Sequence, residues 1–360
     1  MYKKFFMGIV AMAALTLVSC SSDDLNSLSD NSSKNEAISF DGYLGRSAVA
    51  VNGSRGSEVN KDALQNSAEG FGVFGNYMEE TETTTAYGEN LFKNEQVTYD
   101  KSATPAKWTY TNTKYWPTEG HINFLAYAPY DSKQVLNDNS KLNFTVSSTV
   151  TEQKDLLWAN AANKTKDNIS STKNKVKFQF AHALSRLGYT VKLKDDYSDA
   201  TITLKNITLA GSEDGTTKTA FYKEGIIDLS YTSSTTASLW NTSSSEKQNF
   251  PWFSGAKQLS NTDAAKNSET EYLFVIPQDF SKTTPGADAL YVIVEYTIKT
   301  GTTETMTSKV CKQLNWEFKQ GKAYTINLTI GLTPIEFDAD VTPWTDGTNT
   351  NTDIDINSWE

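Results

Sequence analysis

The chain has 360 residues, a formal net charge of −10 and a pI near 4.9. This acidic balance argues against a nucleic-acid partner, because binding to phosphates needs basic side chains. The length predicts two domains, and 38% hydrophobic and 12% aromatic residues are enough to build real cores. Cys20 and Cys311 are the only cysteines, so an exported chain of this kind must be held together by its cores.

The first 19 residues are typical of a secretory signal peptide. Lys3 and Lys4 precede an apolar stretch that is too short to span a bilayer with any margin, and Ser19 is small, as a cleavage site requires. The segment 17–20 resembles a bacterial lipobox, in which the cysteine becomes the first mature residue and is acylated. We therefore expect lipidation at Cys20, which leaves Cys311 without an intrachain partner, as a small buried hydrophobe.

Residues 20–37 form the expected lipidated tether, because they are polar and poor in aromatic side chains. Within it, Ser21-Ser22-Asp23-Asp24 resembles the acidic export tag of surface lipoproteins in Bacteroides-group bacteria. The alternative is that these four residues belong to an ordinary solvated linker.

Strand patterns dominate the rest of the chain. Apolar residues alternate in 38-ISFDGYL-44, 176-VKFQF-180 and 187-LGYTVKL-193, which is the period of a half-buried strand. In 202-ITLKNITL-209 the alternation changes phase, which predicts a β-bulge. Further strands are predicted at 71–77, 108–111, 122–130, 142–146, 155–159, 272–276, 290–298, 308–314 and 324–330.

Many short strands separated by turn signals predict an all-β fold of β-sandwiches rather than a parallel α/β sheet. We place the boundary between an N-terminal domain, 38–184, and a C-terminal domain, 185–334, at the junction of two predicted strands. Residues 335–360 follow as a C-terminal tail.

The sequence offers no constellation for catalysis. His121 and His182 border apolar strands, and they are better explained as core or strand-end residues than as ligands or bases. Asp338 and Asp340 alternate with apolar residues, which indicates a solvated face rather than an acid and base pair. No nucleophile, phosphate-loop or metal motif is present. We therefore predict no enzyme activity, no catalytic residue, no metal and no cofactor.

Five stretches carry a family resemblance: 114-KYWP-117, 124-FLAYAPY-130, 178-FQFAHALSRLGYTV-191, 321-GKAYTINLTI-330 and 341-VTPW-344. In order and spacing they resemble fimbrillins, the subunits of type V pili of Bacteroides-group bacteria. The resemblance covers nearly all of the mature chain. It implies two tandem transthyretin-like β-sandwich domains after a lipoprotein signal peptide and linker, on the outer membrane and in a surface fimbria.

The resemblance also implies an assembly mechanism, in which an arginine-specific protease removes the first strand and a neighbour's C-terminal strand fills the groove. Here it implies a removable strand at 38–46, with Ile38, Phe40 and Leu44 as the groove-filling side chains. Cleavage is expected between Arg46 and Ser47, although family sites often have alanine after the arginine. Arg55 is a rival site, and a third possibility is that both arginines are ordinary surface charges.

The expected donor strand lies in the tail, where one apolar face alternates at Ile335, Phe337, Ala339 and Val341. The same pattern suits the last strand of the chain's own domain, so both alternatives stand. The expected function is that of a structural fimbrial subunit in adhesion, with other copies or related subunits as partners. A tip adhesin or a surface glycan-binding lipoprotein, which would bind host or bacterial surface ligands, is the alternative. A tip subunit needs no donor strand, so the tail favours a shaft subunit.

Overall fold

The computed structural model describes residues 36–44, 61–82, 85–172, 174–232, 238–242, 246–268, 270–282, 288–331 and 336–343. The regular structure of the first half comprises β1 (Phe40–Leu44), α1 (Lys61–Asn66), β2 (Phe71–Met78), β3 (Phe92–Asp100), β4 (Lys107–Thr109), β5 (His121–Ala128), β6 (Lys141–Thr145), β7 (Leu157–Lys164) and β8 (Val176–His182). Two short 3-10 helices flank β7, at Val150–Glu152 and Asp167–Thr172.

One seven-stranded sheet organises this half, in the order β1-β8-β7-β5-β2-β3-β4. It curls far enough for its two edge strands, β1 and β4, to contact each other. Along β8 the predicted alternation is confirmed, because Val176, Phe178 and Phe180 are buried whereas Lys177 and Gln179 are exposed. The inner face of the curled sheet therefore encloses an aromatic core.

The second half is also built from strands. They are β9 (Ser185–Leu193), β10 (Ala200–Ala210), β11 (Phe221–Tyr222), β12 (Glu224–Asp228), β13 (Trp240–Asn241), β14 (Lys247–Gln248), β15 (Phe250–Gln258), β16 (Ala265–Lys266), β17 (Leu273–Val275), β18 (Gln278–Asp279), β19 (Tyr291–Thr300), β20 (Thr303–Gln313), β21 (Glu317–Phe318), β22 (Lys322–Ile330) and β23 (Glu336–Pro343).

Two larger sheets, β15-β10-β19-β20 and β16-β9-β22-β23, contribute buried apolar residues to one core. Representative members are Val191, Leu204, Val294 and Leu328. The protein is therefore an all-β molecule with sandwich-like layers, as the sequence predicted.

The phase change in the alternating strand has the predicted cause. The pairing of β10 with both β15 and β19 shifts register between Leu204 and Asn206. Ile202 and Leu204 are buried before the shift, and Ile207 and Leu209 are buried after it. The bulge therefore keeps one face of β10 in the core along its whole length.

Backbone pairing and packing connect the two halves. The chain passes from β8 to β9 through Ala183 and Leu184, both 0% exposed. The indole Nε1 of Trp240 donates a 2.8 Å hydrogen bond to the carbonyl oxygen of Ala183. In addition, β6 pairs with β12 in antiparallel orientation, so residues 141–145 and 224–228 share a small sheet.

Cys311 differs from its predicted environment. It is a free, half-buried thiol on β20, whereas the sequence suggested a buried position. The reason is its place on the edge strand of the sheet, which pairs with β19 alone. Partial burial raises the pKa of the Cys311 thiol.

Candidate assembly site

The candidate site is the seat of residues 36–44, which we call the first-strand groove. β1 lies at the edge of the seven-stranded sheet and pairs in parallel with β8. The register runs from Phe40 opposite Val176 to Leu44 opposite Phe180. All the other described pairings in this sheet are antiparallel. The first strand is thus added to a sheet made by strands that follow it in the chain.

The inner face of the first strand is apolar and enclosed. Ile38, Phe40 and Leu44 are 1%, 1% and 6% exposed, so these predicted groove-filling residues lie in the same core. The Phe40 ring lies in an aromatic cage of four rings, whose centroids are 5.4–5.7 Å away. The cage consists of Phe92, Tyr110, Phe124 and Phe178.

Hydrogen bonds hold the N-terminal end of the first strand on the side away from β8. The Ile38 amide donates to the Lys114 carbonyl at 2.8 Å, and the Trp116 amide donates to the Glu36 carbonyl at 3.1 Å. The Tyr110 hydroxyl donates to the Ile38 carbonyl at 2.8 Å. The first strand is therefore clamped between β8 and the segment 110–116.

Tyr110 combines two of these roles. Its ring belongs to the aromatic cage, and its hydroxyl also accepts a 3.1 Å hydrogen bond from the Lys114 amide. Burial raises the pKa of Tyr110 to about 12. The hydroxyl therefore stays protonated at neutral pH and remains a donor to the first strand.

Gly42 occupies the tightest point of the groove. A Cβ atom at this position would lie 3.2 Å from Phe180 Cε2 and 3.2 Å from Phe71 Cε1. Both neighbours are aromatic rings packed in the core, with their centroids 5.4 Å apart. A methyl group fits only if these rings shift slightly, and a longer side chain overlaps them. We call this point the Gly42 slot.

The outer face of the first strand is polar. The register places Asp41 opposite the exposed Lys177, and Tyr43 opposite Gln179. The Tyr43 hydroxyl donates a 3.4 Å hydrogen bond to Gln179 Oε1. The strand therefore presents one buried face and one solvated face, as its alternating sequence predicted.

The tail strand lies elsewhere in this chain. β23 pairs in antiparallel orientation with β22, from Lys322 opposite Pro343 to Thr329 opposite Glu336. It forms the edge of its sheet. Of the predicted donor residues, Phe337, Ala339 and Val341 lie on this strand, whereas Ile335 lies outside the described residues.

Several predicted positions also lie outside the described residues. They are the lipidation site Cys20, the cleavage pair Arg46 and Ser47, and the rival Arg55. The three cleavage residues are in the chain between Leu44, the end of β1, and Lys61, the start of α1. A cut at either arginine would therefore sever the covalent link between the first strand and the rest of the sheet.

Each of the two histidines lies at one end of a strand. His182, at the end of β8, is buried, and its Nδ1 lies 3.0–3.1 Å from the carboxylate oxygens of buried Asp155. His121 is half-buried at the start of β5. Across the described ranges, no group of His, Cys, Asp and Glu side chains could hold a metal ion. No helix within the described part of the chain is long and apolar enough to cross a bilayer.

A cleft of about 320 Å³ lies where β6 meets β12. Tyr127 is one wall of the cleft, and its hydroxyl oxygen lies 2.8 Å from Asn94 Oδ1 and 2.9 Å from the Asp131 carbonyl oxygen, so it can donate to either. Lys154 on the rim pairs with Glu69 at 3.4 Å. If the chain were a tip adhesin or a glycan-binding lipoprotein, this cleft would be the candidate site for its surface ligand.

Sequence reasoning did not find the residues that receive the first strand. Tyr110, Lys114 and Trp116 clamp the strand and two aromatic rings line the Gly42 slot, yet each of these residues looks ordinary in the sequence. One signal was available, because 114-KYWP-117 was among the stretches that carried the family resemblance. In the structure this segment bonds directly to residues 36–38.

Comparison with known proteins agrees with this architecture. Residues 58–344 match the model of a family described as fimbrillin-like. The fimbrium subunit Fim1C of Phocaeicola vulgatus is 27% identical over 97% of this chain and 98% of its own length. The crystal structure of a fimbrial protein from Bacteroides vulgatus superimposes with a TM-score of 0.62, at 23% identity, over 87% of this chain and 100% of that chain. This last likeness shows the fold.

Proposed function

The chain belongs to the fimbrillin-like family, and we propose that it is a shaft subunit of a surface fimbria that polymerises by strand exchange. In this proposal the chain reaches the outer membrane as a lipoprotein acylated at Cys20. An arginine-specific protease then cuts after Arg46, or at the rival Arg55. The tail of a neighbouring copy replaces the first strand, and the polymer serves adhesion.

The observation that carries the proposal is the seat of β1. After a cut between β1 and α1, only non-covalent contacts hold the first strand to the described sheet. Its three buried side chains contribute roughly 5–9 kcal/mol of gross burial energy. Departure of the strand leaves an apolar slot beside the unpaired backbone groups of β8, an edge that favours addition of another strand.

The tail can leave its own sheet without breaking the sheet's interior. β23 is an edge strand that pairs with β22 alone, so its release removes one ladder of hydrogen bonds. The tail cannot occupy that edge and a neighbour's groove at once, so donation requires this release. A head-to-tail contact between the tail of one copy and the groove of the next does not close on itself and propagates as a filament.

The test compares the double variant Arg46→Ala, Arg55→Ala with the parent protein. We expect the double variant to stay on the cell surface as an uncut monomer, whereas the parent forms filaments visible by electron microscopy. Lys61→Ala is the matched control, because it removes an exposed basic residue at the start of α1 and leaves both arginines in place. Normal long filaments from the uncut double variant would rule out strand removal as the trigger.

Export has its own test. Cys20→Ala is expected to abolish incorporation of a clickable fatty acid and to remove the protein from the cell surface, because acylation supplies the anchor. The control is Cys311→Ser, which removes the other thiol and leaves the lipobox intact. Equal labelling of Cys20→Ala and the parent protein would exclude acylation at this residue.

A further inference from the structure

The first strand and the tail strand have matching sequences. The first reads 38-ISFDGYL-44, and the tail reads 335-IEFDADV-341. Isoleucine, phenylalanine and aspartate recur at the same spacing. Where they differ on the apolar face, glycine is matched by alanine, and leucine by valine. The tail therefore carries the same order of large and small apolar residues as the strand that fills the groove.

The Gly42 slot makes this order matter. A Cβ atom there lies 3.2 Å from both Phe71 and Phe180, so a methyl group enters with a small shift of these rings and a larger side chain overlaps them. On the apolar face of the tail, Ala339 alone has a side chain that small. A shift of two residues in either direction places Phe337 or Val341 in the slot, and either side chain overlaps these rings.

From this match we infer that the tail of a second copy enters the first-strand groove in a single register, with Ala339 in the Gly42 slot. The inference rests on the proposed strand exchange. The tail then runs parallel to β8, as β1 does, and Phe337 enters the aromatic cage that held Phe40. Ile335 takes the place of Ile38, and Val341 that of Leu44.

The polar face supports the same register. With Ala339 in the slot, Asp338 takes the position of Asp41 opposite Lys177, and Asp340 faces Gln179. A slip of one residue would instead turn acidic side chains into the aromatic core, at the cost of burying a charge. The Gly42 slot thus excludes register shifts by two residues, and the alternation of acidic and apolar side chains excludes shifts by one residue. Ala339 is therefore the residue that determines the register, and Phe337 is the anchor.

Disulfide cross-linking within the polymer tests the register directly. Three full-length variants carry Asp340→Cys and Cys311→Ser together with Lys177→Cys, Gln179→Cys or Ala181→Cys on the exposed face of β8. Processing removes Cys20 with the first strand. Residues directly opposite on neighbouring strands are about 5 Å apart, within the span of a disulfide, whereas partners displaced by two residues are about 8 Å apart.

We expect the Gln179→Cys variant to give a ladder of oligomers that resists SDS and disappears on reduction. The Lys177→Cys and Ala181→Cys variants are expected to give no such ladder. A ladder from Lys177→Cys would place Val341 in the slot, and one from Ala181→Cys would place Phe337 there. Either result overturns the inferred register while leaving strand exchange standing. If filaments form and none of the variants cross-links, the tail does not lie beside β8, which also overturns the inference. If the parent protein forms no filaments after processing, strand exchange itself fails, and the register inference falls with it.

A second measurement uses size instead of cross-linking. Ala339→Leu is expected to abolish polymerisation, whereas Thr342→Leu, which places the same new side chain on the tail strand just beyond the matched stretch 335–341, leaves it intact. The unfolding temperature of each uncut variant shows whether the tail strand still folds normally. Polymerisation of Ala339→Leu at the parental rate would show that the slot does not choose the register.

Discussion

The hydroxyl of Tyr110 donates a 2.8 Å hydrogen bond to the carbonyl oxygen of Ile38, a residue 72 positions earlier in the chain. The Tyr110 ring also packs 5.4 Å from the ring of Phe40. One side chain therefore contacts both the backbone and the principal side chain of the first strand. A strand that reproduces both contacts carries an aromatic ring two residues after the carbonyl that Tyr110 binds, and in the tail Phe337 lies two residues after Ile335.

Removal of this hydroxyl tests its contribution to the seat. Tyr110→Phe keeps the ring in the cage and deletes the donor, so the uncut chain is expected to lose about 1–2 kcal/mol of unfolding free energy. Urea unfolding measures the loss. Tyr99→Phe is the control, because Tyr99 packs against Trp108 at 5.1 Å in the same half of the protein. Equal losses in the two variants would contradict a specific role for Tyr110.

At alkaline pH, the free energy of unfolding should fall as tyrosines with a raised pKa lose their protons. Burial raises the pKa of both Tyr110 and Tyr189 to about 12 from an ordinary value of 10.0. The unfolded chain loses these protons first, so the stabilisation is fully present below pH 10.0 and is lost as the pH rises through 12. We expect Tyr110→Phe to flatten that fall, as measured by urea unfolding across the pH series. If the free energy of unfolding falls with pH at the same slope in the variant and the parent, Tyr110 does not contribute to this fall.

Gly42→Val tests the tightness of the slot from the side of the first strand. The added side chain meets Phe71 and Phe180 at less than contact distance, so the uncut chain is expected to lose about 1–3 kcal/mol of unfolding free energy. Tyr43→Val is the control, because it places the same residue on the outer face one position further along. A Gly42→Val chain as stable as the parent would mean that the slot is roomier than its geometry indicates.

Local pattern predicted much of the fold, because the period of two in a half-buried strand is visible in the sequence. The alternation at 176–180 and the bulge in β10 are the clearest examples. Among the strands of five or more residues, β3, β12 and β15 were missed. In β3 polar residues interrupt the pattern, and in β15 Pro251 stands beside three aromatic residues at 250, 252 and 253.

The groove itself was only half predictable. The apolar face of 38–44 is visible in the sequence. Alternation does not distinguish parallel from antiparallel pairing, so the parallel pairing with β8 could not be predicted. The clamp from the segment 110–116 and the pairing of β6 with β12 join residues far apart in the chain. Such contacts depend on how the whole sheet curls, which no local pattern records.

The buried histidine offers a prediction about stability rather than chemistry. His182→Gln removes the ring that faces Asp155 at 3.0–3.1 Å, and we expect a loss of about 1–3 kcal/mol of unfolding free energy. His121→Gln, at a half-buried strand start, should cost less. Both variants are expected to form filaments, as seen by electron microscopy. A well-folded His182→Gln protein, by circular dichroism, that fails to assemble or adhere would reveal a functional role for this pair.

The last prediction concerns the anchor of the tail. Phe337→Ala is expected to weaken the joint between copies by about 3–5 kcal/mol, the usual loss for a buried phenylalanine. The variant keeps its own groove, so it accepts a neighbour's tail but donates its own poorly. Mixed with processed parent protein, it should therefore end growing filaments and shorten them in proportion to its share of the mixture, as measured by electron microscopy.

A point substitution is preferable to truncation after Pro334, because truncation would also uncover the edge of β22 in the chain's own sheet. Asp338→Ala is the matched control, since this residue lies on the polar face of the same strand by its alternation. Unfolding of each uncut variant separates a weak donor from a damaged domain. Because Phe337 would meet the four rings around Phe40 only in a neighbour's groove, equal filament lengths with Phe337→Ala and Asp338→Ala would show that the tail is not the donor.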